Sequence, residues 1–380
     1  MSQWLRALAI PPQWARWLPA TSRRFGPPRR IGLIREVVPR LGGRVWTIDD
    51  RQPVPQPQPR IHGEPDRDVY ADWPTQTMPG TVFELPEACM VSPEATVVTR
   101  DDTLLIDTSY WGWETPFQPE RHIIYRRKRT APVRHLAGHC LTLGTDFSVG
   151  SFGHMLHDGI ARLHLLERAG RSLREFDWIY LPRLESPATR ELLAGLLDFP
   201  AERILNWRFG EDVSADRVTG TSYPGQVGRI AVEAAGLLRD RAQARWGRGG
   251  RRRVYLTRRG YRRTVINEAE ISSLLAGHGF VTLDPARDAG VLDACANAEI
   301  VLGVDGSNMA NLALAPAGAH VVLLMPPEVA PIPYNSTLAV SGGRILHIVV
   351  GEPGPEGGIY NADFHLPPAR LQAALREVLG

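Results

Sequence analysis

Residues 254–325 read VYLTRRGYRRTVINEAEISSLLAGHGFVTLDPARDAGVLDACANAEIVLGVDGSNMANLALAPAGAHVVLLM and decide the fold of this chain. Short apolar runs alternate there with segments of helical spacing. The pattern predicts, in order, strand 254–257, helix 268–276, strand 280–283, helix 291–297, strand 300–304, helix 309–314 and strand 321–325. Such alternation is typical of a parallel, doubly wound sheet, so we expect an α/β domain over residues 254–350.

The second of these segments has a specific helix start signal. Asn267 stands at the N-cap, and Glu270 three residues later completes a capping box. Ile266 and Ile271 are spaced as a hydrophobic staple. We therefore expect the Asn267 and Glu270 side chains to cap this helix.

Upstream of residue 254 the pattern is looser. Residues 1–70 are rich in proline and have no sustained period, which predicts an irregular arm with at most a few short strands. Residues 71–247 begin with short strands between 81 and 109 and continue with strands and helices in alternation, which predicts a second α/β domain with a small β layer. Residues 351–380 are a tail whose final helix, 368–379, has one apolar stripe.

Composition excludes several classes of protein. The chain has 380 residues, of which 43% are hydrophobic and 22% charged, so it is neither disordered nor collagen-like. A net charge of +3 gives no nucleic-acid footprint, and three cysteines without C-x-x-C spacing suggest neither a disulfide framework nor a thiolate zinc site. No apolar run reaches about 20 residues, so we expect a cytoplasmic protein without a membrane span.

The N-terminal tryptophans leave two alternatives open. Trp4, Trp14 and Trp17 lie near Arg6 and Arg16. This segment either packs on its own domain or lies on a membrane surface as a peripheral contact.

Two features of the 254–350 domain suit an anion. The loop 303–311, GVDGSNMAN, follows a strand and opens a helix, so Gly306, Ser307 and Asn308 are placed to cradle a phosphate with N–H groups. Arg258 and Arg259 follow another strand and would lie on the same sheet edge, where arginine can bind a diphosphate through two hydrogen bonds. The alternatives are an ordinary tight turn and surface arginines.

Residues 153–158, GHMLHD, place three titratable groups on one helix face. His154, His157 and Asp158 are spaced i, i+3 and i+4. His154 or Asp158 would serve as a general base for an acceptor hydroxyl. A metal site on the three residues is a second reading, and plain polar residues near a helix N-terminus are a third.

Three segments together resemble the family 61 glycosyltransferases: 151–167, 254–285 and 298–324. The family motif N-Y-x-H-[WF]-L-x-D-x-x-P-R-L is similar to the first, and the family segment [ST]-R-R…N-E-x-x-[IL] to the second. The matching positions are His154, Asp158, Arg162 and Leu163 in the first segment and Thr257, Arg258, Arg259, Asn267, Glu268 and Ile271 in the second.

The resemblance implies two Rossmann-like domains facing a cleft, the GT-B arrangement, and inversion at the anomeric carbon without a metal or other cofactor. The second domain would hold a nucleotide-sugar donor through Arg258, Arg259, Asn267, Glu268 and residues of the 303–311 loop, which are Asp305, Gly306, Ser307, Asn308 and Asn311. The acceptor would be a saccharide or lipid-linked saccharide. The product would be a surface or capsular polysaccharide.

One departure from the family keeps an alternative open. Where the family has H-G-A-G-L-x-N, this chain has Asp305 in place of the histidine, and Ala161 replaces a proline. A carboxylate near a diphosphate costs electrostatic energy unless it is paired or points away, and an arginine of 258–263 would be a suitable partner. The alternative is a catalytically silent relative that binds a glycan or nucleotide as an assembly or regulatory partner.

Overall fold

The structure, a computed structural model, describes residues 28–48, 51–65, 75–110, 119–126, 131–208, 210–223, 230–328, 335–354 and 362–380. The chain folds into two compact units of mixed α/β structure. Unit 1 is Met1–Arg51, Met78–Leu184 and Phe199–Val227, and unit 2 is Gln52–Thr77, Glu185–Asp198 and Gly228–Gly380. The tryptophan-rich segment proposed to touch a membrane lies outside the described residues.

Unit 1 is built on one mixed sheet with the strand order β1-β6-β5-β4-β10-β7-β8-β9, and β2 pairs with β4. Its strands are β1 (Arg30–Gly32), β2 (Arg44–Ile48), β4 (Gly80–Val91), β5 (Thr96–Thr99), β6 (Thr103–Leu105), β7 (Val133–Thr142), β8 (Trp178–Tyr180), β9 (Ile204–Leu205) and β10 (Asp212–Thr221). The run β10-β7-β8-β9 is parallel, whereas β4 pairs antiparallel with β2, β5 and β10. The sheet is therefore mixed, and the expected Rossmann-like domain is not confirmed in unit 1.

Unit 2 contains an all-parallel sheet with the order β12-β11-β13-β14-β15-β3. Its strands are β3 (Arg60–His62), β11 (Arg252–Leu256), β12 (Phe280–Leu283), β13 (Ala298–Val304), β14 (His320–Met325) and β15 (Ile345–Val350), and a separate antiparallel pair is β16 (Glu352–Pro353) with β17 (Phe364–His365). The parallel strands predicted from residues 254–325 are confirmed. Their apolar runs suit strands that are covered on both faces.

Helices cover both faces of the unit 2 sheet. Among the described residues, the α-helices are α1 (Ile34–Arg40), α2 (Phe152–His154), α3 (Leu163–Arg168), α4 (Pro187–Leu197), α5 (Val232–Trp246), α6 (Glu268–Gly277), α7 (Val291–Ala296), α8 (Ser336–Val340) and α9 (Pro368–Leu379). On one face, α6 and α9 bury Ile271, Leu371 and Leu375 against Leu302 and Val322. On the other face, α5 and α7 pack with a 3-10 helix, Ser307–Leu314.

The observed units differ from the predicted boundaries at two places. Helices α4 and α5 belong to unit 2, although they fall within the predicted 71–247 domain, because α5 packs on α7 and on the 3-10 helix. The predicted arm contains α1 and the strands β1, β2 and β3, and β3 adds to the edge of the unit 2 sheet beside β15. Helices and strands this short produce no sustained hydrophobic period in the sequence, so the pattern did not predict them.

Helix α1 is capped from a distant part of unit 1. Both oxygens of the Asp107 carboxylate accept the Ile34 N–H at 3.1 Å, because Leu33 at the N-cap has no side-chain acceptor. Burial raises the pKa of Asp107 to about 7, although the hydrogen bond from Ile34 opposes this shift. A carboxyl that stays protonated to such a pH makes folding stability depend on pH.

We expect Asp107→Asn to remove this pH dependence. The folded chain binds this proton more tightly than the unfolded chain, so the free energy of unfolding falls as pH rises from about 4 towards 7, by at most about 1.4 kcal/mol per pH unit. Asparagine keeps an acceptor for Ile34 but cannot ionise. Urea unfolding at several pH values measures the difference between variant and parent. An unchanged difference from pH 5 to 8 would contradict the assignment. Asp240→Asn, at an exposed carboxylate, is the control.

Candidate functional site

The carboxyl ends of β11 and β13 form the best-defined candidate site in unit 2. These strands are adjacent and parallel, with Leu256 beside Gly303. The chain runs from β11 to β12 on one side and from β13 to β14 on the other, so the strand order reverses between them. In open α/β sheets, ligands bind outside the carboxyl ends of strands at such a reversal.

Arg258 and Gly306 meet at this point. A Cβ on Gly306 would lie 2.1 Å from Arg258 Nη1, and the Gly306 φ of 153° is a conformation that favours glycine. Arg258 Nη1 donates to Asn308 Oδ1 at 3.0 Å, and its Nε donates to the Arg262 carbonyl at 2.7 Å. The predicted arginine and the predicted glycine loop are thus in direct contact.

Positive charge accumulates around this contact. The pKa of the Arg258 guanidinium is lowered, first by burial and then by the positive charge of Arg263, while Asp305 acts in the opposite direction. Two positively charged guanidinium groups at one sheet edge repel each other, and an anion that binds both of them removes this repulsion. The arrangement suits a phosphate or diphosphate.

Asp305 is fully buried, and its carboxylate is held by Asn335. Oδ1 of Asp305 accepts from Asn335 Nδ2 at 2.7 Å and from the Asn335 N–H at 3.3 Å. Asn335 Nδ2 also donates to the Gly306 carbonyl at 2.8 Å. Arg263 Nη1 donates to the Asp305 carbonyl at 2.9 Å. Arg263 therefore binds the backbone of Asp305, and Asn335 holds its carboxylate.

The loop continues into the 3-10 helix Ser307–Leu314, which replaces the predicted helix 309–314. Its turn is held by the Met309 N–H, which donates to the Gly306 carbonyl at 3.0 Å, and by Asn311 Nδ2, which donates to the Asn308 carbonyl at 2.7 Å. Asn308 Nδ2 is buried and has no hydrogen-bond partner among the described residues. This amide is a spare donor beside Arg258.

Glu268 and Arg259 have partners inside unit 2. The buried Glu268 carboxylate accepts from the Tyr255 hydroxyl at 2.9 Å, from the Thr257 hydroxyl and from Arg259 Nε at 3.0 Å. Burial and the Glu268 charge raise the pKa of Tyr255, so its hydroxyl stays a donor. The network fixes the backbone between β11 and α6. The prediction that Arg259 and Glu268 contact a donor stays a prediction.

Asn267 differs from the expected capping arrangement. It occupies the N-cap of α6, but its side chain caps no N–H of the helix. Its Oδ1 accepts the Leu366 N–H at 3.0 Å, and its Nδ2 donates to the Leu366 carbonyl and to Glu270 at 2.9 Å. The predicted capping box is therefore wrong. A local motif cannot reveal the competing partner 99 residues away.

In unit 1, residues 152–168 form one irregular helical segment. Ser151 caps its start, since Oγ accepts the His154 N–H at 3.4 Å. A π turn at Met155–Gly159 and a 3-10 turn at Ile160–Arg162 separate α2 from α3. Gly159 lies so close to the Leu143 carbonyl that a Cβ there would approach it to 2.9 Å.

His154 and Asp158 form a close pair within this segment. His154 Nδ1 and Asp158 Oδ2 are 2.5 Å apart, with 2% of the Asp158 side chain and 20% of the His154 side chain exposed. The carboxylate therefore fixes the imidazole orientation, and one fifth of the His154 side chain is open to solvent. Pairs of this kind perform general acid–base chemistry.

Buried charges surround the pair. Burial lowers the pKa of Arg162 to about 10, while Tyr223, Asp158 and Asp146 act in the opposite direction. Arg162 Nη2 donates to the Gly144 carbonyl at 2.6 Å. Burial opposes ionisation of Asp146, but the hydrogen bonds from His122, the Tyr110 N–H and Ser109 outweigh it and lower its pKa. The neighbourhood is preorganised and polar.

A row of aromatic rings extends from His154. The His154 ring centroid is 5.0 Å from that of Phe147, Phe147 is 5.7 Å from Tyr110, and Tyr110 is 6.1 Å from Tyr223. Aromatic faces with polar edges suit a ligand that has both apolar and hydroxyl surfaces. The sequence analysis missed this row, because Tyr110, Phe147 and Tyr223 are distant along the chain.

The metal interpretation of residues 154–158 finds no support in the geometry. Within the described ranges, the ligand atoms of His154, His157 and Asp158 do not converge as a three-ligand group. A different cluster, considered below, does converge. Arg263, Asn335 and the aromatic row are the site residues that motif spacing alone did not single out.

The sequence profile of the Glycosyltransferase 61 family matches residues 152–322. This range begins at the helical segment of the His154–Asp158 pair and ends within β14, so it includes the carboxyl ends of β11 and β13. Over these residues the chain is similar to the family 61 glycosyltransferases. A family 61 domain implies a donor and an acceptor substrate. A search of curated proteins finds no match to the chain. Throughout the described residues, the helices are too short or too polar to cross a membrane.

Proposed function

We propose that this chain is an inverting glycosyltransferase that moves a sugar from a nucleotide-sugar donor to a saccharide or lipid-linked saccharide acceptor, in surface or capsular polysaccharide synthesis. The observation that carries the proposal is the contact between Arg258 and Gly306 at the strand reversal of unit 2. It lies inside the range that matches the family.

In the donor half, the diphosphate binds to the guanidinium groups of Arg258 and Arg263. Asn308 Nδ2 and the N–H groups that open the 3-10 helix add neutral donors. When the bond between the anomeric carbon and the diphosphate oxygen breaks, negative charge grows on the leaving group. Fixed positive charge at that oxygen stabilises the transition state more than the ground state.

In the acceptor half, His154 removes the proton of the acceptor hydroxyl, and Asp158 stabilises the resulting imidazolium. The acceptor oxygen forms a bond to the anomeric carbon as the diphosphate departs, so the proton ends on His154 and the configuration inverts. The greater exposure of His154 favours it over Asp158 as the group that meets the hydroxyl. The rings of Phe147 and Tyr110 provide a surface for the acceptor sugar.

Several finer points stay predictions within this proposal. They are the GT-B arrangement, catalysis without a metal or other cofactor, the cytoplasmic location and a peripheral membrane contact through the N-terminal tryptophans. Contact of Arg259, Asn267, Glu268, Asp305 and Asn311 with the donor is also a prediction.

A panel of nucleotide sugars tests the proposal. We expect one nucleotide class among UDP-, GDP-, ADP-, CMP- and dTDP-sugars to raise the melting temperature, because a ligand of the native state stabilises it. NMR of the product formed with a saccharide acceptor should then show an inverted anomeric linkage. Absence of any shift, or a product with retained configuration, would contradict the proposal.

A catalytically silent relative is the second candidate. Asp305 favours it, because a carboxylate replaces the histidine that the family resemblance leads one to expect. The Asn335 hydrogen bonds favour the enzyme instead, since they hold this carboxylate within the loop. Nucleotide binding without turnover on any donor and acceptor tested would support the silent relative.

A further inference from the structure

A cluster of histidines lies at the edge of the unit 2 sheet, away from the residues assigned above. It joins His62 of β3, His347 of β15 and Glu377 of α9. Strand β3 is three strands from β13 in the sheet, about 14 Å at the usual strand spacing. The cluster is therefore separate from the Arg258–Gly306 contact.

The geometry of the cluster is that of a ligand set. His62 Nε2 and His347 Nδ1 are 3.3 Å apart. Two nitrogens bound tetrahedrally to one zinc ion at about 2.0–2.1 Å lie about 3.4 Å from each other. The ligand atoms of His62, His347 and Glu377 all fall within 4.8 Å of one another. Modest movement of the partly exposed Glu377 side chain would complete the set.

A third imidazole adjoins the cluster on the same sheet face. His347 pairs with Val322 in the sheet, and His320 is two residues before Val322, so both histidines face α9. Their ring centroids are 5.7 Å apart. His347 Nε2 and His320 Nδ1 are buried, and neither has a hydrogen-bond partner within the described part of the chain.

The centre of the cluster is shielded from water. His347 is fully buried, and its ring centroid lies 5.6 Å from that of His62 and 5.7 Å from that of His320. A buried ring nitrogen needs a hydrogen-bond partner or a metal ion, because leaving it without either destabilises the folded chain.

We propose that His62, His347 and Glu377 bind a divalent transition metal of the zinc class, with His320 or water in the fourth position. Imidazole and one carboxylate select zinc-class ions over magnesium or calcium, which prefer oxygen ligands. Arg60 now pairs with Glu377 at 3.2 Å, but both side chains are about half exposed, so the metal can displace this weak surface pair.

The metal has a structural role at this position. Strand β3 is only three residues long and joins the sheet from a part of the chain 285 residues before His347. Helix α9 covers the same edge near the C-terminus. One ion would fasten β3, β15 and α9 together, and its binding free energy would add to the folding stability of unit 2.

The test is zinc titration of the full chain after chelator treatment and removal of any affinity tag. We expect one zinc per chain with a dissociation constant of about 1 μM or lower, a raised melting temperature, and visible absorption bands when Co²⁺ replaces zinc. His62→Gln and Glu377→Gln, at partly exposed positions, should each weaken binding at least about tenfold. His278→Gln, at an exposed histidine of unit 2, should bind as the parent does.

Three results would overturn the site. The first is no saturable zinc binding below about 100 μM. The second is equal affinity in the parent, His62→Gln and Glu377→Gln. The third is loss of the bound zinc in His154→Gln, which would move the metal to unit 1.

Discussion

Replacing Asp158 with asparagine is expected to lower turnover by about two to four orders of magnitude while nucleotide binding stays nearly unchanged. Asp158 Oδ2 is 2.5 Å from His154 Nδ1, so the substitution removes the negative charge that orients the imidazole and stabilises its protonated form. His154→Ala should cost a similar factor, because it removes the proton acceptor itself. Initial rates with saturating donor and acceptor measure both variants, and calorimetry with the nucleoside diphosphate measures binding.

The control for this prediction is a second histidine–aspartate pair in unit 1. His135 Nε2 and Asp216 Oδ1 are 2.9 Å apart, but both side chains are more than half exposed. Asp216→Asn should therefore keep parental turnover. The pH profile identifies the base, because the acidic limb should disappear in His154→Ala if His154 accepts the proton. Normal turnover in both Asp158→Asn and His154→Ala would remove the pair from the mechanism.

Local sequence pattern was sufficient to predict structure where the contacting elements are close together in the chain. The parallel strands between 254 and 325 are apolar runs bounded by turns, and the His154–Asp158 pair follows from its i, i+4 spacing. The prediction that Arg258 and the Gly306 loop share one sheet edge follows from the same alternation, since parallel strands place their carboxyl ends together.

Local sequence pattern could not predict contacts in which the partner residue is distant along the chain. The antiparallel pairing of β4 with β10 joins Met90 to Val213, and no local motif encodes it. Helix α1 has no cap from its own N-cap residue. Asp107, 73 residues away in the chain, supplies the hydrogen-bond acceptor instead. Asn335 holds Asp305 in the same way, across 30 residues. The sequence indicated that Asp305 needed a partner, but it could not identify Asn335.

Replacing Arg258 with alanine is expected to weaken binding of the nucleoside diphosphate by about ten- to a hundredfold. Hydrogen bonds to a charged partner contribute about 1.5–3 kcal/mol, and Arg258 is a partly buried cation at the strand reversal. Gly306→Ala should act in the same direction, because its new Cβ would meet Arg258 Nη1 at 2.1 Å and displace the guanidinium. Titration calorimetry with the nucleotide found in the panel measures both affinities.

Arg262→Ala is the matched control, since it removes the same charge from the same loop at an exposed position. Its carbonyl, which accepts from Arg258 Nε, is retained. A general effect of net charge would weaken nucleotide binding equally in Arg262→Ala and Arg258→Ala. A specific contact would weaken binding far more in Arg258→Ala than in Arg262→Ala. Equal affinities in the parent and Arg258→Ala would show that the diphosphate binds elsewhere. Because Arg258 is assigned to the diphosphate and His154 to the proton, loss of Arg258 should reduce affinity for donor and for diphosphate product alike. The pH profile of turnover should stay that of the parent.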